Sequence, residues 1–177
     1  NKNCSGCTAC MTVCREGAIV MRRDWEGFLY PVVEIAKCVE CGACEKVCPA
    51  IQQPEFHATA DAYAVQLRNK DVLKKCQSGG AFWALADCTF DRDGVAYGAA
   101  LDANLRVVYQ RAETRKRAEE FHGSKYVQAD MGIILPQVKA DVIAGRQVLF
   151  SGTACHIAGL IKYLGKNYDN LYTCDLI

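Results

Sequence analysis

The sequence predicts an α+β protein in two parts, a small cysteine-rich module at residues 1–55 and a mixed α/β domain at residues 56–177. The module is predicted because eight of the 12 cysteines fall before residue 50, in two runs with the same spacing. The domain is predicted because strand-like and helix-like hydrophobic patterns alternate after a polar stretch that ends at Glu55. A sheet covered by helices produces this kind of alternation.

Both cysteine runs have the spacing C-x-x-C-x-x-C-x-x-x-C. In two-cluster bacterial ferredoxins, the first three thiolates of such a run hold one [4Fe–4S] cube and the fourth ligates the other cube. The predicted ligands are Cys4, Cys7, Cys10 and Cys48 for the first cluster, and Cys38, Cys41, Cys44 and Cys14 for the second. The module is therefore predicted to be bacterial-ferredoxin-like, with two [4Fe–4S] clusters.

Other residues of the two runs bear on this interpretation. Gly6 and Gly42 permit backbone angles that a Cβ would disfavour close to a cluster. Pro49 follows the last cysteine of the second run, whereas Arg15 stands in the corresponding place of the first. Structural zinc, which usually takes two separated cysteine pairs, and a disulfide framework, which belongs to shorter secreted chains, are the weaker alternatives.

A hairpin is predicted between the runs. Residues 19–23 and 28–33 are both rich in β-prone side chains, and a polar turn with Gly27 separates them. We expect this hairpin to shield the clusters; a docking surface for a redox partner is the alternative. The polar residues 52–55 then predict the exit from the module and the domain boundary.

The second part predicts alternating strands and helices. The predicted strands are residues 62–67, 95–99, 105–110, 146–150 and 171–177. The predicted helices are residues 70–75, 81–88, 114–121, 133–144 and 154–164. A tight turn is expected at residues 151–153, and the strand–helix–strand order that surrounds it predicts a parallel pair with a helical crossover.

Four stretches of the second part follow the cysteine module in a distinctive order. They are Ser78-Gly79-Gly80, Ser124-Lys125-Tyr126-Val127-Gln128, residues 149–160 with the sequence LFSGTACHIAGL, and Asp175-Leu176-Ile177. Together with the ferredoxin-like module they resemble the beta subunit family of coenzyme F-420 hydrogenases and dehydrogenases. The resemblance covers the whole chain, although Ala154 and His156 depart from the family's Pro-Cys-Gln. Because that family continues past Ile177, the α/β domain is expected to be incomplete at its C-terminal side.

The resemblance implies FAD beside the clusters, and for some members a deazaflavin substrate. The candidate cofactor-binding residues are Ser78, Gly79, Gly80, Ser124, Lys125, Tyr126, Gly152, Thr153 and Cys155. Two groups among them sit where a helix is predicted to begin, and helix N-termini bind phosphate. A simple turn at Gly79, a local cap at Thr153 and a surface role for Lys125 are the alternatives. No catalytic residue is assigned.

The predicted function is that of an iron–sulfur flavoprotein oxidoreductase subunit, which passes electrons between a deazaflavin or similar two-electron carrier and two [4Fe–4S] clusters through FAD. The alternatives are a non-catalytic ferredoxin-type docking subunit and a flavin-dependent reductase of a small organic substrate. A redox partner protein or a larger oxidoreductase complex is expected to exchange electrons with it.

The composition of the chain limits its predicted partners and its predicted cellular location. A formal charge of +1 argues against nucleic acid as a partner, and no apolar run approaches the roughly 20 residues that span a membrane. Cysteines in ferredoxin spacing predict a reducing, cytoplasmic and oxygen-poor setting, as in an anaerobe. Three further cysteines, Cys76, Cys88 and Cys174, are left unassigned, and Cys88 is expected to be buried in its helix.

Overall fold

The computed structural model describes residues 3–52 and 61–176 of the chain. The domain boundary predicted at residues 55 and 56 lies outside these ranges. None of the helices in the described ranges is long and apolar enough to cross a membrane.

The N-terminal module consists of two short helices and the predicted hairpin. Its elements are α1 (Ala9–Val13), β1 (Ile19–Arg23), β2 (Leu29–Val33), a 3₁₀ turn (Ile35–Lys37) and α2 (Ala43–Lys46). The strands are antiparallel, with Ile19 opposite Val33 and Arg23 opposite Leu29. The Asp24 carboxylate closes the turn by accepting the backbone N–H groups of Glu26 and Phe28 at 3.0 and 2.9 Å. The hairpin prediction is therefore confirmed.

The second part is a mixed α/β domain, as predicted. Its elements are α3 (Lys70–Leu73), α4 (Ala81–Phe90), β3 (Val95–Leu101), β4 (Val107–Ala112), α5 (Arg115–Ala118), a 3₁₀ turn (Glu119–Phe121), α6 (Ile134–Ile143), β5 (Val148–Thr153), α7 (Ala154–Leu164) and β6 (Leu171–Leu176). The sheet has the order β4-β3-β5-β6. Strand β4 is antiparallel to β3, whereas β3, β5 and β6 are mutually parallel. The predicted parallel pair joined by a helix is thus confirmed.

The sheet separates two apolar cores because alternate residues of its central strands point to opposite faces. Val95 and Tyr97 lie in one core with α6, α7 and residues of the N-terminal module, whereas Ala96 lies in the other with α4. Phe150 and Leu149 divide in the same way on β5. The module is therefore packed on the α6–α7 face of the sheet.

A buried polar network joins the sheet to α6. The Tyr97 hydroxyl donates to Asp141 at 2.5 Å, and Arg111 donates to both oxygens of the same carboxylate at 2.6 and 2.9 Å. Burial by itself would raise the pKa of Asp141, but the hydrogen bonds from Arg111 and Tyr97 outweigh it and hold that pKa below its usual value. The carboxylate is therefore ionised at neutral pH and fixes α6 against β3 and β4.

Two strand predictions need correction. Residues 62–67 form no strand: the side chains of 61–66 are exposed, and with the other described residues the segment makes one backbone hydrogen bond, from Leu67 N–H to the Gly79 carbonyl at 2.9 Å. The strand predicted at 105–110 begins two residues later. Leu105 has φ 59° and belongs to a turn that the Asp102 carboxylate closes.

Two further predictions are wrong, namely the turn at residues 151–153 and the burial of Cys88. The turn expected at residues 151–153 is absent, since β5 continues to Thr153 in register with β6 and α7 begins at Ala154. Cys88 is exposed rather than buried. The buried face of α4 carries Trp83, Ala86 and Phe90, and Cys88 falls off that face.

Candidate iron–sulfur site and adjoining pocket

The cysteines of the module line two cavities. Cys4, Cys7, Cys10 and Cys48, with Cys44, line the first cavity, of about 480 Å³. Cys14, Cys38, Cys41 and Cys44 line the second, of about 790 Å³. The last cysteine of each run thus lies at the cavity of the other run. Within the described ranges, no three Cys, His, Asp or Glu side chains gather into a site for one metal ion; the sulfurs surround cavities instead.

The two loops share an unusual backbone geometry. The residue before the second cysteine has positive φ in both runs, 72° at Gly6 and 53° at Glu40. The residue after that cysteine also has positive φ in both, 61° at Thr8 and 70° at Gly42. Each loop therefore has two residues in the left-handed conformation, and only one of the two is glycine. The glycine comes before the second cysteine in the first loop and after it in the second. The repeat in the sequence is a repeat of backbone conformation.

The thiols of the first cavity are poised for a cationic group. Burial first, and then the neighbouring sulfurs of Cys4 and Cys48, raise the pKa of Cys7 and bring the pKa of Cys10 to about 11. Four thiolates in such surroundings repel one another and are poorly solvated, so they need a bound cation. Iron of an iron–sulfur cluster supplies that charge. The donor set of this cavity therefore fits a cluster.

The cysteines of the second cavity differ from those of the first in their exposure to solvent. Cys38 and Cys41 are exposed, whereas Cys7 in the first cavity is buried. Cys14 Sγ accepts a hydrogen bond from the backbone N–H of Ala18 at 3.3 Å, the kind of contact that tunes cluster potentials. The first cavity thus has one buried cysteine, whereas the second has two exposed ones.

The first loop is docked on the α/β domain. A Cβ built on Gly159 of α7 would lie 2.8 Å from Cys7 Sγ, so only glycine allows this approach of helix and cysteine. Gln128 ties the same region together: its side chain accepts from Leu29 N–H at 2.6 Å and donates to the carbonyls of Leu29 and Ser5 at 3.2 and 3.4 Å. Gln128 belongs to the stretch at residues 124–128 that carried the family resemblance.

A third cavity, here called the sheet-edge pocket, lies next to this contact. It encloses about 350 Å³ between the carboxyl end of β5, the start of α4 and the loop at residues 122–129, and Ser5 lines both it and the first cavity. Six predicted cofactor-binding residues line it: Gly80, Ser124, Lys125, Gly152, Thr153 and Cys155. Topology thus brings together residues that are far apart in the sequence.

Three predicted residues do not line the pocket, namely Ser78, Gly79 and Tyr126. The Tyr126 side chain is 92% exposed. Gly79 faces away, because a Cβ there would collide with the Val65 carbonyl. Of the Ser78-Gly79-Gly80 stretch, only Gly80, the N-cap of α4 with φ 75°, reaches the pocket wall.

Contacts within the protein account for three of the residues that were predicted to bind a ligand. A Cβ at Gly152 would collide with the Tyr109 hydroxyl, so this glycine makes room for a side chain of the protein itself. Thr153 is the N-cap of α7 but makes no side-chain capping bond; its Oγ1 lies 3.1 Å from Cys155 Sγ. Lys125 Nζ donates to the carbonyls of Glu120 and His122 at 3.1 and 2.9 Å, and burial lowers its pKa.

The aromatic and imidazole groups of the pocket were not predicted from the sequence. Tyr109 stacks on Phe150, and its hydroxyl lies 3.1 Å from Nδ1 of the buried His156. Burial lowers the pKa of His156 to about 4 and raises that of Tyr109. Trp83 contacts His122 edge-on, with ring centroids 4.7 Å apart. The apolar side chains of β4 and β5 signal buried strands, but they do not say which face of the sheet meets a pocket.

Residues 3–51 match the family model described as "4Fe-4S dicluster domain". A 4Fe-4S dicluster domain is present at the N-terminus. The match spans both cysteine runs and the hairpin between them, and it confirms the ferredoxin-type module, its iron–sulfur character and its role in electron transfer. No curated protein sequence matches the chain.

Proposed function

We propose that the chain is an iron–sulfur flavoprotein oxidoreductase subunit of the coenzyme F-420 hydrogenase and dehydrogenase beta-subunit type. In this proposal FAD binds at the sheet-edge pocket and two [4Fe–4S] clusters occupy the dicluster domain. The observation that carries it is the contact between pocket and first cavity: Ser5 lines both, and Cys7 packs on Gly159 of the helix that begins at the pocket.

The crossed arrangement of the cysteines supports two clusters in the module. Cys48 lies near enough to Cys7 and Cys10 to raise the pKa of each, and Cys14 lines the cavity of Cys38, Cys41 and Cys44. This is the exchange of fourth ligands that the ferredoxin pattern predicts. It supports a first cluster on Cys4, Cys7, Cys10 and Cys48, and a second on Cys38, Cys41, Cys44 and Cys14.

The lining of the pocket supports a flavin ring. Trp83, Phe121 and Tyr109 supply apolar and aromatic walls, and Lys125 and Ser124 supply polar groups at the rim. Mostly apolar walls with a few polar groups are typical of cofactor pockets, and about 350 Å³ is at the lower end of their range. The pocket therefore suits the ring system of a flavin rather than the whole of FAD.

The residues that line the pocket suggest what the protein contributes to electron transfer by a bound flavin. A bound flavin exchanges electrons in pairs with a carrier such as a deazaflavin and singly with a cluster. The aromatic walls keep water out, and His156 stays neutral because its pKa is about 4. Lys125 places a positive charge at the rim, held by the Glu120 and His122 carbonyls. The backbone N–H groups that open α7 at Ala154 have no capping side chain and are available to an acceptor.

The positions of the two cavities suggest the order in which electrons would pass through the cofactors. The first cavity adjoins the pocket, and the second carries the exposed Cys38 and Cys41. Electrons would pass between the flavin and the first cluster, then to the second cluster, and from there to a redox partner protein. A cytoplasmic, oxygen-poor setting is part of the same proposal.

The deciding experiment is anaerobic reconstitution of the full-length protein, followed by cofactor analysis and reduction assays. We expect about eight irons and eight sulfides per chain, flavin fluorescence in the denatured supernatant, and cluster reduction by a reduced deazaflavin or nicotinamide. Two zinc ions without iron in protein kept free of oxygen would refute the cluster assignment. Clusters without flavin would refute the flavoprotein assignment.

A non-catalytic electron-transfer subunit is the second candidate, and two contacts favour it. Gly152 is explained by the Tyr109 hydroxyl, and Lys125 is already bonded to two carbonyls. Neither residue then needs a ligand. Such a subunit would reduce and reoxidise its clusters with a protein partner but bind no flavin, so the same supernatant assay separates the candidates.

A further inference from the structure

Thr8, between the ligands Cys7 and Cys10, has an unusual environment. The residue is 2% exposed and lines the first cavity. Its Oγ1 is the one buried side-chain nitrogen or oxygen without a hydrogen-bond partner within residues 3–52 and 61–176. A buried hydroxyl that makes no hydrogen bond is destabilising, so native structures normally provide it with an acceptor.

The backbone of Thr8 is strained as well. Its φ of 61° lies in the left-handed region, which a β-branched residue rarely adopts. The equivalent residue of the second loop, Gly42, has φ 70° and takes this conformation without a penalty. A threonine that bears this strain next to two ligands therefore points to a role for its hydroxyl group.

We propose that the Thr8 hydroxyl donates a hydrogen bond to a sulfur atom of the first cluster and raises the reduction potential of that cluster. The inference rests on the proposed function, because it needs a cluster on Cys4, Cys7, Cys10 and Cys48. A cluster presents inorganic sulfides and cysteine sulfurs, which accept hydrogen bonds. No hydroxyl stands at the matching position of the second loop, where Gly42 has no side chain.

The sign of the effect follows from charge. A cluster gains one negative charge on reduction, so a hydrogen-bond donor stabilises the reduced form more than the oxidised form. The first cluster adjoins the sheet-edge pocket, and a raised potential there favours its reduction over that of the second cluster. The hydroxyl thus contributes to the potential difference between the two clusters, in addition to the different exposure of their cysteines.

The test is a redox titration of the reconstituted holoprotein, followed by electron paramagnetic resonance. Thr8→Val removes the donor at nearly constant volume, Thr8→Gly removes it together with the backbone strain, and Thr8→Ser retains it. Thr12→Val makes the same substitution one helical turn away, outside the cavity lining. In Thr8→Val and Thr8→Gly we expect one cluster to shift to lower potential, so that its oxidised-to-reduced ratio at a fixed potential rises on the order of 10-fold.

In Thr8→Val and Thr8→Gly, the other cluster should keep its wild-type potential. In Thr8→Ser and Thr12→Val, both clusters should stay near their wild-type potentials. A second readout is an exchangeable proton coupled to the reduced cluster, which should be present in wild-type protein and Thr8→Ser but lost in Thr8→Val and Thr8→Gly. Unchanged potentials in Thr8→Gly with full iron content would overturn the inference. Wild-type protein that takes up no cluster under reconstitution would instead overturn the proposed function.

Discussion

Gly159 of α7 lies against Cys7 of the first cysteine run, so close that a Cβ would stand 2.8 Å from the sulfur. Cys7 is buried in the same apolar core as Tyr97 and Phe150 of the sheet. A residue of the dicluster domain is therefore part of the hydrophobic core of the α/β domain. The module is built into the fold by this contact, and its first cavity is held next to the sheet-edge pocket.

This contact predicts the effect of Gly159→Ala. The added methyl group overpacks the site, which typically costs about 1–3 kcal/mol, and it pushes Cys7 away from its ligand position. We expect a lower midpoint in anaerobic denaturant unfolding and loss of the first cluster before the second. Ile161→Ala, on the exposed side of the same helix, is the control and should keep full iron content. Wild-type stability in Gly159→Ala would show that the helix can move away freely.

The crossed ligand sets predict which cysteine variants behave alike. Cys10→Ala and Cys48→Ala should each lose the same cluster, and the double variant should lose no more than either. Cys14→Ala should lose the other cluster, although Cys14 is only four residues from Cys10. Iron content and the electron paramagnetic resonance of each remaining cluster provide the measurement. Loss of the same cluster in Cys10→Ala and Cys14→Ala would instead assign each run to its own cube.

The sheet-edge pocket predicts a pattern of flavin affinities in the full-length protein. Cys155→Ala and Thr153→Ala change the pocket wall at the start of α7 and should weaken FAD binding or slow turnover, with iron content unchanged. Tyr126→Ala is the matched control, because this side chain is 92% exposed and lies outside the pocket lining. Equal affinity and turnover in all three variants would remove the start of α7 from the site.

His156 predicts a pH dependence of stability. Because its folded-state pKa is about 4 and an unfolded histidine has a pKa of about 6.5, the unfolded chain binds more protons between these values. Stability is therefore lost as the pH falls from about 6.5 towards 4, by up to about 3 kcal/mol from this residue. His156→Gln should remove that part of the dependence in anaerobic unfolding followed by circular dichroism.

His122→Gln is the control for this prediction. Burial also lowers the pKa of His122, but that ring is only half-buried, so its contribution to the pH dependence should be smaller. A pH profile of His156→Gln that coincides with the wild-type profile would mean that folding does not lower the pKa of His156.

The buried carboxylate of α6 predicts a large effect of a small change. Asp141→Asn removes the negative charge that accepts from Arg111 and Tyr97, and it leaves the half-buried guanidinium paired only with the exposed Glu113 carboxylate at 3.0 Å. We expect a loss of about 1.5–3 kcal/mol in the free energy of unfolding at neutral pH. Asp71→Asn is the control, since its carboxylate is 91% exposed and its ion pair with Lys74 contributes little. Similar stabilities for the two variants would contradict the assignment of Asp141 to the core.

Local patterns of the sequence were sufficient for much of the fold. The cysteine spacing, the turn at Asp24 and the hydrophobic periods of β3, β5, α6 and α7 act between near neighbours in the chain, so they are readable without the tertiary structure. The same reasoning failed at residues 62–67 and at 151–153. A strand exists only where a neighbouring strand shares its hydrogen bonds: residues 62–67 pair with no strand in the described part of the chain, whereas β6 pairs with residues 151–153 and keeps them extended.

What the sequence alone determined about this protein is the chemistry of its cysteines and the strand–helix order that follows them. Only the tertiary structure decided that Gly152 makes room for Tyr109, that Gly159 makes room for Cys7, and that Thr8 carries a buried hydroxyl beside the first cavity. These facts depend on which faces of distant segments meet. Close packing between residues as far apart as Cys7 and Gly159 leaves no periodic signal in the chain, because it is a property of two surfaces and not of either segment.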